Sequence, residues 1–108
     1  MNLQELEAVC MEMIANAGEG RSKVLEAADC FADGNPQRGA QLLEEAEKHI
    51  HDAHQIQFLK LLQPQAAGET IPFHLLLIHA MDLLMMAMSE KTLVEKMVRM
   101  NKSDTGGS

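Results

Sequence analysis

The chain has 108 residues, room for one domain, and its 46% hydrophobic content is ample for a core. Three Phe with no Trp and no Tyr argue against a β-sandwich or barrel and against a base-stacking nucleic-acid platform. A net charge of −7 and a pI near 5.1 repel phosphate backbones and anionic membrane surfaces, so nucleic acid is close to excluded as a partner.

From Asn2 to about residue 32 the apolar residues Leu3, Leu6, Cys10, Met13, Ala17, Val24, Ala28 and Phe31 recur in steps of three and four, with one gap. That is the stripe of a single helix. Gly18 and Gly20 weaken it locally, and either kink it or let another backbone come close. The opening MNLQELEAVC is acidic and lacks an apolar run, so no signal peptide is expected. Two cysteines do not make a disulfide framework, and Cys10 and Cys30 read as small buried hydrophobes.

Asp33-Gly34-Asn35-Pro36 predicts a stop and restart, with a left-handed glycine, an N-capping Asn and a Pro in the first turn. The second helix is expected over 36–62, its stripe at Leu43, Ala46, Ile50, Ala53 and Leu61. A loop from Gln63 to Thr70 follows, carrying Pro64 and Gly68. Thr70 is expected to cap a third helix over 71–102, with Pro72 in its first turn. Residues 1–102 then form one domain, and the small polar segment 103–108 is expected to be a disordered tail. Three long helices with short connections give an all-α, antiparallel up-down-up three-helix bundle.

The third helix is unusual. Twelve of the fourteen residues from Leu75 to Met88 are apolar, and they surround the helix rather than forming one stripe. The run is too short to span a bilayer, so no membrane insertion and a cytoplasmic location are expected. Two neighbouring helices cannot cover every side of a third, and soluble monomers rarely tolerate a large exposed apolar patch. Self-association through helix three follows, with Met81, Met85, Met86 and Met88 read as core and interface filling. His79 and Asp82 are the only polar residues in the run and share one helix face. Copies of Asp82 meeting on a symmetry axis would repel unless a hard cation such as Mg²⁺ or a shared proton neutralised them. The plainer alternative stays open: His79 as a satisfied core histidine and Asp82 facing a local donor.

Ile78-His79-Ala80-Met81-Asp82-Leu83-Leu84-Met85 resembles the signature of the lactose/cellobiose-type enzyme IIA of the bacterial phosphotransferase system, which reads apolar-His-Ala-Gln-Asp-His-Leu-Met. Met13-Ile14-Ala15-Asn16-Ala17-Gly18-Glu19-Gly20-Arg21-Ser22 is similar to that family's helix-one pattern, and Ala53-His54-Gln55-Ile56-Gln57 to its helix-two Ala-His-x-x-Gln. The resemblance implies a trimer of three-helix protomers, with His79 as the phosphorylated residue and Asp82 as a metal ligand on the trimer axis. It implies the phosphocarrier HPr as phosphoryl donor and a cysteine of a cognate enzyme IIB as acceptor. The family's usual Gln and second His are replaced by Met81 and Leu83.

Histidine suits such a relay because neutral imidazole is nucleophilic and forms a labile P–N bond. The protein's task is then mostly positioning and charge stabilisation. His54 and Gln57, on or beside the helix-two stripe, are candidates to hydrogen-bond the imidazole or phosphoryl group, or else are packing residues. His49 and His51 read as solvated, no zinc set is complete, and His74 is unassigned. Lys91, Lys96, Arg99 and Lys102 favour the helix C-terminal dipole or steer a negatively charged partner. Two rival readings remain: a non-catalytic trimeric adaptor descended from such a carrier, and a metal-binding bundle using the His-rich second helix.

Overall fold

Asn2 caps the first helix. Its side-chain oxygen accepts the Glu5 amide N–H at 2.7 Å, and its amide nitrogen donates to the Glu5 carboxylate at 3.1 Å, a reciprocal cap like a capping box. In the computed structural model, which describes residues 1–106 and side chains as far as Lys102, helix α1 runs unbroken over Leu3–Ala32. Of the two expectations for its glycines, close approach is the outcome. A Cβ on Gly20 would lie 2.7 Å from Ile50 Cγ1 and 3.3 Å from the Ala46 carbonyl oxygen, whereas Gly18 has nothing within 4 Å.

The expected stop and restart is present. Gly34 takes a left-handed φ of +81°, the Asn35 side chain accepts the Arg38 amide N–H at 3.4 Å, and Pro36 opens helix α2, Pro36–Gln57. The helix expected to end at Leu62 runs further. It passes into a π-helical turn, Phe58–Leu62, and then into a short helix α3, Gln63–Ala66, with right-handed helical backbone at every joint. Pro64 was the reason to expect a stop, since it lacks an N–H and its ring crowds the preceding turn. The π turn absorbs this: Gln63 N–H reaches back to the Phe58 carbonyl, and Pro64 falls in the first turn of α3, where a missing N–H is tolerated. Leu61 is buried within the wide turn, so packing holds the extension in place.

Gly68, at φ +101°, ends this rod. The third long helix, α4, covers Leu75–Gly106 and starts later than the expected residue 71. Pro72 disfavours helical backbone at Ile71, so 69–74 run as an irregular strap and Thr70 is not the cap. At its other end α4 continues past the expected boundary at 102; of the expected tail, 107–108 lie outside the described residues.

α1 and α4 run parallel, because Glu7 meets His74 at 3.2 Å and Arg21 meets Glu90 at 2.8 Å. α2 is antiparallel to both, with Lys23 beside Glu45 and Lys60 beside Glu12. The up-down-up bundle is therefore the observed fold, a rod of 58 × 21 × 19 Å without strands among the described residues. Leu6, Cys10, Met13 and Val24 of α1, Ala46, Ile50 and Ala53 of α2, and Ala80, Leu84 and Ala87 of α4 form its core. The expected stripes shift slightly. Leu3 is exposed, Leu42 is buried where Leu43 was expected, and Leu43 is half-buried. Cys10 is buried, Cys30 is half-buried, and both are free thiols. No helix of the described residues is long and apolar enough to cross a membrane.

Candidate functional site

An α-helix turns about 100° per residue, so Ala80, Leu84 and Ala87 share the side of α4 that faces the core, where they are buried. The opposite side carries Ile78, Asp82, Met85, Ser89, Leu93 and Met100, all exposed. Leu75 is 71% exposed, Met85 64% and Met100 66%. An apolar stripe of this length, even with Asp82, Ser89 and Lys96 set in it, is unlike the surface of a typical soluble monomer. Asp82 stands within it, exposed and, among the described residues, without a hydrogen-bond or ion-pair partner.

His79 lies one turn inside the N-terminus of α4 and is exposed rather than a satisfied core histidine. Around the helix axis it sits about 60° from Asp82 and about 20° from the position of Glu90. Arg21 of α1 donates to both Glu90 oxygens, at 2.8 and 3.1 Å, so His79 belongs to the α1 flank of the exposed stripe. Arg21 itself thus ties the two parallel helices together.

His54 and Gln57 belong to the other flank. Gln57 lines a groove of about 280 Å³ with Leu61, Phe73, Leu77 and Met81. His54 lines a second groove, about 190 Å³, with Glu47, His51, Met88, Lys91 and Thr92. Leu77, Met81 and Met88 are about 160–180° round α4 from His79, and His79 lines neither groove. Within one chain, then, His79 and Asp82 share the exposed side of α4, whereas His54 and Gln57 are held away from them.

The second groove is locked by Lys91. Its ammonium group reaches Glu47 at 2.7 Å and Glu95 at 3.1 Å. Burial works to lower the Lys91 pKa, but hydrogen bonds to the two carboxylates outweigh it and hold the pKa above the usual lysine value. His51 is exposed, as expected, and His49 is half-buried. No group of three His, Cys, Asp or Glu residues able to hold a metal occurs among the described residues, so one chain offers only the single Asp82 carboxylate at the expected metal position. The sequence also gave no role to His74, which in the structure accepts the Leu76 amide N–H and meets Glu7 of α1. Histidine is not among the residues whose presence signals an N-cap.

An exposed imidazole in the second turn of α4, without a hydrogen-bond or ion-pair partner among the described residues, has little to do alone. It suits receipt of a group from another macromolecule that docks over it. The sequence comparisons bear on that directly. A family model described as "PTS system, Lactose/Cellobiose specific IIA subunit" matches residues 8–102. The lactose-specific EIIA component of Staphylococcus epidermidis is 36% identical over 102 residues, covering 94% of this chain and 97% of that one. The crystal structure of PtcA from S. mutans superposes with a TM-score of 0.91 at 36% identity, covering 94% of this chain and 99% of that one. The PTS cellobiose-specific enzyme IIA from Bacillus anthracis superposes with a TM-score of 0.87 at 30% identity, covering 100% and 96%.

Proposed function

The chain belongs to the lactose/cellobiose-specific IIA family of the bacterial phosphotransferase system, and from that premise we propose that it is a phosphocarrier whose acceptor is His79. The placement of His79 supports the reading: an exposed ring one turn inside α4, in the motif whose resemblance matches it to the family's phosphorylated histidine. An imidazole nitrogen attacks the phosphorus in line as the bond to the donor, HPr, breaks. The P–N bond so formed is broken in turn by a cysteine of a cognate enzyme IIB. The relay works in the cytoplasm and serves uptake of a lactose-, cellobiose- or chitobiose-type sugar. Its relatives are named for different sugars, lactose and cellobiose, which supports placing sugar selection in the membrane component.

The exposed stripe of α4 supports assembly as a homotrimer with three parallel copies of α4 around the axis. Asp82, unpartnered on that stripe, would then meet its two equivalents. One carboxylate per chain cannot hold a cation, but three fit a hard ion such as Mg²⁺. Bound there, the ion would supply neutralisation of the three charges. The same rotation turns the α1 flank of one copy toward the α2 flank of the next. His79 would then meet the Gln57 and His54 grooves of a neighbour, the one arrangement in which those residues serve the phosphoryl group.

A non-catalytic trimeric adaptor is the second reading, and Met81 and Leu83 favour it. Met81 lines the apolar groove and Leu83 is half-buried, so both of the family's polar groups are replaced here by packing residues. Intact-mass measurement after incubation with phosphoenolpyruvate, enzyme I and HPr separates the two. The carrier gains one acid-labile phosphoryl group per chain, and His79→Gln gains none while remaining folded. An unmodified wild type beside phosphorylated HPr would establish the adaptor.

A further inference from the structure

The strap before α4 leaves that helix with free amide N–H groups in its first turn, and the turn contains no acidic residue to offset the helix dipole. His74 meets this need. Its Nδ1 accepts the Leu76 amide N–H at 3.1 Å, and its carbonyl oxygen accepts the Leu77 N–H at 3.0 Å. The imidazole therefore occupies the capping position. Because Nδ1 is an acceptor, the ring proton is on Nε2, and Nε2 lies 3.2 Å from Glu7 Oε1 on α1. One ring thus closes the end of α4 with one nitrogen and fastens it to α1 with the other. The ring is only 28% exposed and Glu7 is 54% exposed, so the tie lies along the surface of the bundle.

We propose that His74 is a positioning residue for His79, an inference that rests on the carrier reading above. His79 lies one helical turn beyond the Leu76 amide that His74 holds. If the first turn frays, the His79 backbone loses its fixed height and rotation relative to α1, and a docked donor meets the ring in line for a smaller share of the time. His74 does not touch the phosphoryl group in this scheme; it acts through the helix.

The test uses the full chain and phosphorylated HPr, following the limiting transfer rate and the half-saturating donor concentration separately. His74→Ala is expected to quicken exchange of the Leu76 amide proton about fivefold, the factor by which loss of a typical N-cap shifts local opening. The limiting rate should fall by at most that factor, with half-saturation unchanged. His74→Asn, which restores a capping side chain too short to reach Glu7, should recover part of the rate. Glu7→Ala, which keeps the cap and loses the tie, should show a smaller loss than His74→Ala. A normal limiting rate in His74→Ala, or a change confined to half-saturation, would overturn the positioning role and leave the carrier reading intact. Failure of the wild type to accept a phosphoryl group would remove both.

Discussion

The two faces of α4 are built from similar residues and meet different fates. Ala80, Leu84 and Ala87 on one face are sealed against α1 and α2, while Ile78, Met85, Leu93 and Met100 on the other stand in solvent. Hydrophobicity alone does not distinguish them; size and position do. Small alanines on the inner face let helices approach closely, as Gly20 does between α1 and α2. The outer face carries long, adaptable side chains of the kind that fill an interface between copies. The inner face is covered by the chain itself, and the outer face is left for whatever the chain meets. Asp82 and the imidazole of His79 are both on the side the chain itself does not cover.

Substitution of matched neighbours tests that distinction most strongly. Leu84, 1% exposed, should cost about 2–5 kcal/mol of folding stability when changed to Ala, by loss of burial and creation of a cavity. Met85→Ala, one residue away on the outer face, should leave the stability of the monomer within about 0.5 kcal/mol and weaken self-association instead. Chemical denaturation and sedimentation equilibrium on the two variants read both quantities. Equal losses of folding stability would erase the difference between the faces.

Asp82→Leu sharpens the assembly side. Replacing a carboxylate in an apolar interface by a hydrophobe of similar volume is often stabilising, so this variant should keep the trimer or strengthen it, without need of a cation. Monomers in sedimentation velocity would instead make Asp82 and its ion the essential joint.

A smaller contrast separates the two glycines of α1. Gly18→Ala should stabilise by about 0.5–1 kcal/mol, since a Cβ there meets nothing and alanine favours helix. Gly20→Leu should destabilise by about 1–3 kcal/mol by forcing α1 away from Ile50 and the Ala46 carbonyl. Thermal melts on the pair decide whether Gly20 is there for close approach. A rise in melting temperature for both would show that the seam is loose.

The smallest effect concerns Lys91, which clamps α4 to α2. Its pKa is raised on folding, so the clamp stabilises fully below the usual lysine value of 10.5 and is lost as pH rises through the higher folded value. Melting temperatures of wild type and Lys91→Met should therefore stay apart below pH 10.5 and converge as the pH rises above it. A gap that stays constant across that pH would mean that the lysine stem, rather than its charge, does the packing.

Much of this was legible in the sequence because it was local. Steps of three and four gave the helices, Gly34-Asn35-Pro36 gave the first turn, and two polar residues in an apolar run singled out His79 and Asp82. The departures depend on tertiary context. Pro64 reads as a helix stop until a π turn, pinned by buried Leu61, carries the backbone past it. Thr70 is a better capping residue than His74 by preference, but Pro72 bars the helix from reaching it and Glu7 gives the His74 ring a second partner. Periodicity placed His54 and Gln57 on or beside the stripe of helix two. It did not say that α4 would turn His79 to the far side, because that angle is set by how α1 and α2 divide its surface between them.

The central claim is that a phosphoryl group passes through His79. Its most direct test is to load the chain with a radiolabelled phosphoryl group from phosphoenolpyruvate through enzyme I and HPr, then add the cognate enzyme IIB. Label is expected on the wild type, none on His79→Gln, and discharge from the wild type onto enzyme IIB. Labelled HPr beside an unlabelled wild type, or label retained in His79→Gln, would contradict it.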